Sequence, residues 1–169
     1  MVFFLRELVW NLPSYRFKIK RMWRAVLVSG LVLIFDQGIK LFINSFLREG
    51  GSLPLLPFLS LTHTRNSGIS FGLFQNRIPF FLPFVLFFII TLFLFFYLKK
   101  ERGKLSLFSV GLIWGGMLGN LVDRIRWGEI LDFLDFHFFP VFNLADSAIT
   151  IGLILLFVQT FFHHASDSF

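Results

Sequence analysis

Four apolar runs dominate the sequence, and each is long enough to cross a lipid bilayer. They cover residues 25–46, 78–98, 105–125 and 142–162. At a rise of 1.5 Å per residue, a helix of about 20 residues crosses the roughly 30 Å of hydrocarbon in a bilayer. The sequence therefore predicts an integral membrane protein with four transmembrane helices.

The composition supports this prediction. Hydrophobic residues make up 56% of the 169 residues, whereas soluble domains average about 45–50%. A soluble protein of this composition would expose large apolar patches and aggregate. The chain contains no Cys, which excludes disulfides, thiolate nucleophiles and cysteine metal sites. Its length fits one domain covering residues 1–169.

The positive charge of the chain also has a membrane explanation. The net charge is +6, and ten of the sixteen Lys and Arg residues lie in segments 1–24 and 99–104. Basic residues mark the cytoplasmic ends of membrane spans, so both termini are predicted to be cytoplasmic. No nucleic-acid partner is expected. Connections 47–77 and 126–141 then lie outside.

The first outer connection is too long for a simple turn and should have structure of its own. Within it, residues 60–65 alternate between apolar and polar or β-branched side chains, after Gly and Pro residues that break the chain. This pattern indicates a small β element on the outer surface. The fold class is accordingly an all-α membrane protein, four transmembrane helices, with a small β-rich element between the first and second.

Polar residues interrupt the apolar runs at similar depths. At 1.5 Å per residue, Asp36 lies about 18 Å from the inner end of its helix, Asn120 about 24 Å and Asp146 about 25 Å. Polar side chains inside a bilayer are costly and usually face the interior of a helix bundle. Three pairs share a helix face at i,i+3 or i,i+4 spacing: Asp36 with Lys40, Asn120 with Arg124, and Asn143 with Asp146.

Two of the acidic residues, Asp132 and Asp146, are predicted where two helices approach the same face of the membrane. Two close carboxylates cannot both ionise cheaply, so such a pair holds a shared proton. The protonated member can polarise a peptide carbonyl while the ionised member activates water. These residues are therefore the candidate for an aspartic-protease-type pair. For Asp123 and Asp135, the expectation is an ion pair with Arg124 or Arg126, or plain solvation.

Other functions are weighed against this one. A proton- or ion-coupled transporter could use Asp36, Lys40 and Asp146 as a relay, but its acids should spread through the bilayer depth. A non-catalytic scaffold would explain the four-residue spacing of Gly111, Gly115 and Gly119, which favours close helix packing, but not the acids. A Ser–Lys dyad of Lys40 with Ser67 or Ser70 has little support, and the His residues show no zinc-site spacing.

Five motifs in order resemble the bacterial lipoprotein signal peptidase family, also called signal peptidase II. They are DQGIK from Asp36, NSGISFG from Asn66, GGMLGNLVDR from Gly115, DFLDF from Asp132 and FNLADS from Phe142. The resemblance implies an intramembrane aspartic endopeptidase with Asp132 and Asp146 as its catalytic residues. It further implies a site lined by other residues of these motifs, namely Asn66, Asn120, Arg124 and Asn143, with Asp36, Lys40, Gly68 and Ala145 in binding or support.

The same resemblance implies the substrate and the compartment. The substrate would be a prolipoprotein whose lipobox cysteine carries diacylglycerol, cut just before that cysteine. The enzyme would be a monomer in the bacterial inner membrane, in contact with membrane lipid and active near the periplasmic face. Segment 47–77 would form a periplasmic β-cradle, and segment 1–24 a basic cytoplasmic tail. No metal or organic cofactor is expected.

Overall fold

The computed structural model describes residues 13–67 and 104–166, together with seven residues between 86 and 94. These parts form three long helices and three short strands. In chain order, the elements are α1 (Pro13–Phe46), β1 (Ser52–Leu56), β2 (Leu59–Asn66), α2 (Lys104–Trp127), β3 (Ile130–Asp135) and α3 (Leu144–Ser166).

Three helices of the described parts are long and apolar enough to span a membrane. The spans are Met22–Phe46, Leu105–Trp127 and Leu144–Phe161, which match the first, third and fourth predicted runs. Their outward faces carry exposed apolar side chains such as Phe35 and Phe157, as lipid contact requires. Most of the second predicted run, residues 78–98, lies outside the described residues. The seven of its residues that are described are helical, and the count of four helices stays a prediction.

Glycines of α2 bring this helix against α1. A Cβ added to Gly111 would lie 2.7 Å from the Cβ of Val28, and one added to Gly115 would lie 2.6 Å from the Cβ of Val32. Real Cβ atoms do not approach this closely, so larger residues would push the helices apart. The predicted packing role of the four-residue glycine spacing is confirmed.

Two apolar clusters hold the elements together. The first contains Leu94, Val110, Ile113 and Leu156 and joins the helices. The second contains Ile43 of α1 with Leu131 and Phe133 of β3. The second cluster therefore fixes the sheet against the ends of the helices.

The strands form one antiparallel sheet in the order β1-β2-β3. The β element predicted between the first two membrane runs is confirmed by β1 and β2. The third strand was not predicted; it comes from connection 126–141, for which the sequence analysis gave no secondary structure. It pairs with β2 so that Asn66 lies opposite Ile130 and Thr64 opposite Asp132. The fold is thus mostly helical with a three-stranded sheet built from both outer connections.

Two helix boundaries also differ from prediction. α1 begins at Pro13, so half of the basic segment 1–24 continues the first membrane helix. Proline suits a first helical position because its missing N–H would have no partner there. α3 begins at Leu144 rather than at residue 142, because Asn143 caps it.

Candidate active site

Asp132 lies on strand β3 and is almost completely buried, with 3% of its surface exposed. Its two carboxylate oxygens accept hydrogen bonds from two different elements. Asn66, at the end of β2, donates from Nδ2 to Oδ2 at 2.9 Å. Asn143, just before α3, donates from Nδ2 to Oδ1 at 2.7 Å. Asp132 follows the turn that ends α2 and lies in the sheet, within the outer connection 126–141.

Asp146 lies in the first turn of α3. The Oδ1 atom of Asn143 accepts the backbone N–H of Asp146 at 2.9 Å. In return, Oδ2 of Asp146 accepts the backbone N–H of Asn143 at 3.3 Å. This reciprocal arrangement is a capping box, which satisfies donors left free at the start of a helix. Asn120 of α2 donates from Nδ2 to the other carboxylate oxygen of Asp146 at 2.8 Å.

Asn143 therefore joins the two acidic residues. Its side-chain amide bonds Asp132, and its backbone N–H bonds Asp146. The side chain is completely buried, so its position is fixed by these partners and by Asn120 Oδ1, which accepts from Nδ2 at 3.2 Å. One asparagine thus places a strand carboxylate and a helix carboxylate in one hydrogen-bonded network.

Burial dominates the electrostatics of Asp132. The net effect of its surroundings raises the pKa of Asp132 from its ordinary value of 3.8 to about 7, chiefly through removal from solvent and also through the nearby charge of Asp146. The hydrogen bonds from Asn66 and Asn143 and the charge of Lys40 act in the opposite direction. A pKa near 7 means that protonated and ionised forms of Asp132 are both available at neutral pH.

Lys40 lies beside this network and is 4% exposed. Its Nζ atom is 2.8 Å from Oδ2 of Asp36 and 2.8 Å from Oδ2 of Asp123. It also donates to Oδ1 of Asn120 at 3.1 Å. The prediction that Asp36 and Lys40 share a helix face is confirmed, and the two side chains form an ion pair. Asp123 is buried, so the solvated alternative expected for it is wrong, and its carboxylate forms an ion pair with the lysine of another helix.

The remaining predicted site residues are placed as follows. Arg124 is 8% exposed. Among the nearby charged side chains, Asp132 interacts most strongly with its guanidinium group. Ala145 is fully buried and donates its backbone N–H to Oδ1 of Asp36 at 3.0 Å. Asp135 is half-buried and accepts the backbone N–H of His137 at 2.8 Å, which agrees with the expected alternative of a partly solvated side chain. Gly68 lies outside the described residues.

Gln37 is also part of the site, although the sequence analysis did not name it as a site residue. Its Nε2 atom donates to Oδ1 of Asp123 at 2.8 Å and to the carbonyl of Gly119 at 3.1 Å. Its position next to Asp36 was the only signal available in the sequence.

The alternatives gain no support from these contacts. The partners of Lys40 within the described residues are carboxylates and an amide, not Ser67, and Ser70 lies outside those residues. In the same part of the chain, no three His, Asp or Glu residues are grouped to hold a metal ion.

The fold and the site together define a class of protein. Three helices of its described residues are long and apolar enough to cross a membrane, and where they meet a small sheet one asparagine donates hydrogen bonds to two carboxylates, of which Asp132 is buried. The sequence model of the family described as signal peptidase (SPase) II, a family of proteases, matches residues 28–162. The chain belongs to the signal peptidase II family.

Individual relatives agree with the family match. The chain is 40% identical to the lipoprotein signal peptidase of Halothermothrix orenii over 75% of this chain and 87% of that protein. It is 35% identical to the lipoprotein signal peptidase of Staphylococcus aureus over 79% of this chain and 85% of that protein. A solved bacterial membrane enzyme superposes with a TM-score of 0.77 at 32% identity, covering 84% of this chain and 90% of that one. A second such structure gives a TM-score of 0.70 at 33% identity, covering 80% and 91%.

Proposed function

We propose that the protein is an intramembrane aspartic endopeptidase that removes the signal peptide from prolipoproteins, with Asp132 and Asp146 as its catalytic residues. The relatives named lipoprotein signal peptidase support the substrate class. The observation that carries the catalytic assignment is the double contact of Asn143, which bonds one carboxylate through its side chain and the other through its backbone.

The proposed reaction needs one proton shared by the pair. The ionised member takes a proton from water, and the resulting hydroxide attacks the carbonyl carbon of the scissile peptide bond. The protonated member donates its proton to the carbonyl oxygen, which gives a neutral tetrahedral diol. The member that took the proton from water gives it to the leaving nitrogen, and a proton of the diol passes back to the other member as the C–N bond breaks. An amine and a carboxylic acid are released, and the pair again holds one proton. The pair titrates as a unit, so neither residue is assigned a fixed acid or base role.

Neighbouring groups would orient the substrate backbone. Asn66 and Asn120 each hold one carboxylate through Nδ2, which fixes both side chains beside the proposed reaction centre. Arg124 places a positive charge near Asp132, where it can stabilise charge that develops on the substrate oxygen. Gly68 and Ala145 would help to bind the substrate or support the site, as the family motifs imply.

The preferred substrate is a precursor whose lipobox cysteine carries diacylglycerol, cut before that cysteine. The site residues of α1 and α2 lie near the carboxyl ends of those helices, and those of α3 lie at its amino end. They therefore share one end of the bundle, which the basic segments 1–24 and 99–104 indicate is the periplasmic end. A substrate anchored by acyl chains would arrive laterally at this depth.

We further propose that the protein lies in the inner membrane with both termini in the cytoplasm. It would form one domain over residues 1–169, with a periplasmic cradle at 47–77, and act as a monomer.

The experiment combines two active-site variants with product analysis. Purified protein is incubated with a diacylglyceryl-modified precursor, and the products are identified by mass spectrometry. Wild type should release a signal peptide that ends just before the modified cysteine. Asp132→Asn and Asp146→Asn should each abolish cleavage while the protein still inserts into membranes.

The half-buried Glu129 provides the matched control, and Glu129→Gln should cleave like wild type. Near wild-type cleavage by either aspartate variant would refute the catalytic assignment. Equal cleavage of the unmodified precursor would refute the lipid requirement.

A further inference from the structure

Two buried carboxylates flank Lys40, and each of them holds a backbone amide next to the catalytic pair. Asp36 accepts the N–H of Ala145 at 3.0 Å, one residue before Asp146. Asp123 accepts the N–H of Leu131 at 3.2 Å, one residue before Asp132. These contacts link the two catalytic residues through a single lysine, which is 2.8 Å from both carboxylates.

We propose that Asp36, Lys40 and Asp123 form a brace that sets the position of Asp132 relative to Asp146, with Asp123 as a positioning residue for the reaction. The inference rests on the proposed function, because it assumes that this aspartate pair performs the cleavage. Neither Asp36 nor Asp123 needs to touch the substrate in this role. Both act through the backbone that carries a catalytic residue.

The need for such a brace is clearest at strand β3. One edge of β3 pairs with β2, and the second edge carries a bridge between Leu134 and Phe142. On that second edge, backbone bonding in the described residues joins residues 133 and 134 to Phe142. Leu131 lies nearer the start of the strand, and its N–H bonds the side chain of Asp123 instead. Consecutive Cα atoms are about 3.8 Å apart, so holding the Leu131 amide largely fixes the backbone of Asp132.

The charge of the brace explains why carboxylates occupy these positions. A buried ion is expensive unless it is paired and its remaining sites are hydrogen-bonded. Gln37 supplies a further donor to Asp123 at 2.8 Å, and Lys40 pairs with both acids. Loss of either carboxylate would free Lys40 to move toward the other, which would displace the amide held there. The two ends of the brace should therefore be coupled.

The test is a double-substitution cycle in kcat and KM on the diacylglyceryl-modified precursor. A misplacement of about 1 Å at an active site can cost on the order of 100-fold in rate. We expect Asp123→Ala to lower kcat about 100-fold, and Asp123→Asn, which keeps an acceptor for Leu131, to lower it about tenfold. KM should change less than about twofold in each, because only positioning of the reacting groups is lost. Asp36→Asn combined with Asp123→Asn should cost less than the product of the single effects.

Several controls make the outcome decisive. Glu129→Gln should keep the wild-type kcat. If Asp123→Ala does not fold, Asp123→Asn decides the question, because it preserves size and the hydrogen-bond acceptor. Amide hydrogen exchange of residues 130–135 should also rise in Asp123→Asn. Wild-type kcat in this variant, independent effects of the two substitutions, or a change in KM alone would overturn the brace. An active Asp132→Asn would instead overturn the proposed function.

Discussion

Asp132 should make the wild-type protein less stable as the pH rises, and Asp132→Asn should remove this dependence. The pKa of Asp132 is raised from 3.8 to about 7, chiefly by burial. A folded-state pKa above the unfolded one means that the folded protein binds the extra proton between these values, so stability is lost as pH rises through that window. Each pKa unit corresponds to about 1.4 kcal/mol, so the complete loss is on the order of 4 kcal/mol.

The measurable part of this effect lies between pH 5 and pH 8. Over that interval, linkage gives a loss of about 2.5 kcal/mol for wild type relative to the variant. The substitution also introduces an amide NH2 that would meet donors from Asn66 and Asn143, at a cost of about 1–3 kcal/mol. That cost does not depend on pH. The difference between the two pH values therefore isolates the carboxyl group.

Thermal unfolding of purified protein in detergent, followed by tryptophan fluorescence, would measure the effect. The unfolding temperature of Asp132→Asn minus that of wild type should increase steadily from pH 5 to pH 8. Glu129→Gln should follow wild type at every pH. A constant difference between Asp132→Asn and wild type would show that Asp132 titrates at an ordinary carboxyl pKa, and the electrostatic reasoning would fail.

Three further predictions concern neighbouring groups. A Cβ on Gly119 would lie 2.5 Å from Oδ2 of Asp36, so Gly119→Ala should lower kcat at least tenfold. Gly38→Ala is the control, because nothing lies within 4 Å of its added Cβ, and its measured kcat should stay near that of wild type. Asn143→Ala should destabilise the protein by at least about 1 kcal/mol, measured by unfolding, because it removes the cap of α3. Asn66→Ala removes the strongest hydrogen bond lowering the pKa of Asp132, so the fall of kcat above roughly pH 7 should move to higher pH in a pH–rate profile.

The sequence was sufficient for those parts of the site that depend on local spacing. Asp36 and Lys40 are one helical turn apart, and their ion pair follows from that spacing alone. Asn143 and Asp146 were predicted to share a helix face from their three-residue spacing, and the capping box that they form depends on the same spacing. Membrane-length apolar runs fixed the approximate bounds of the three described spans.

Contacts between distant segments were beyond the same reasoning. Strand β3 exists because β2, far earlier in the chain, offers it a pairing edge, and six residues with two acids are too short to show this alone. Asp123 resembled a solvated residue at a helix end because its real partner, Lys40, belongs to another helix. Tertiary pairing decided both cases, and both concern the element that carries Asp132.

The balance of buried charge around the site would favour a shared proton on the proposed catalytic pair at neutral pH. Four buried or largely buried acids, Asp36, Asp123, Asp132 and Asp146, face two cations, Lys40 and Arg124. With every group ionised, the acids are in excess, and one proton on the catalytic pair reduces that excess. Lys40→Gln would increase the imbalance and should raise the pKa of Asp132, because the charge of Lys40 lowers it. The fall of kcat at alkaline pH should then begin at higher pH than in wild type, even though kcat itself is reduced. Measured pH–rate profiles in which Lys40→Gln moves this fall to lower pH would contradict the charge argument, because loss of a positive charge cannot favour ionisation of a neighbouring carboxyl.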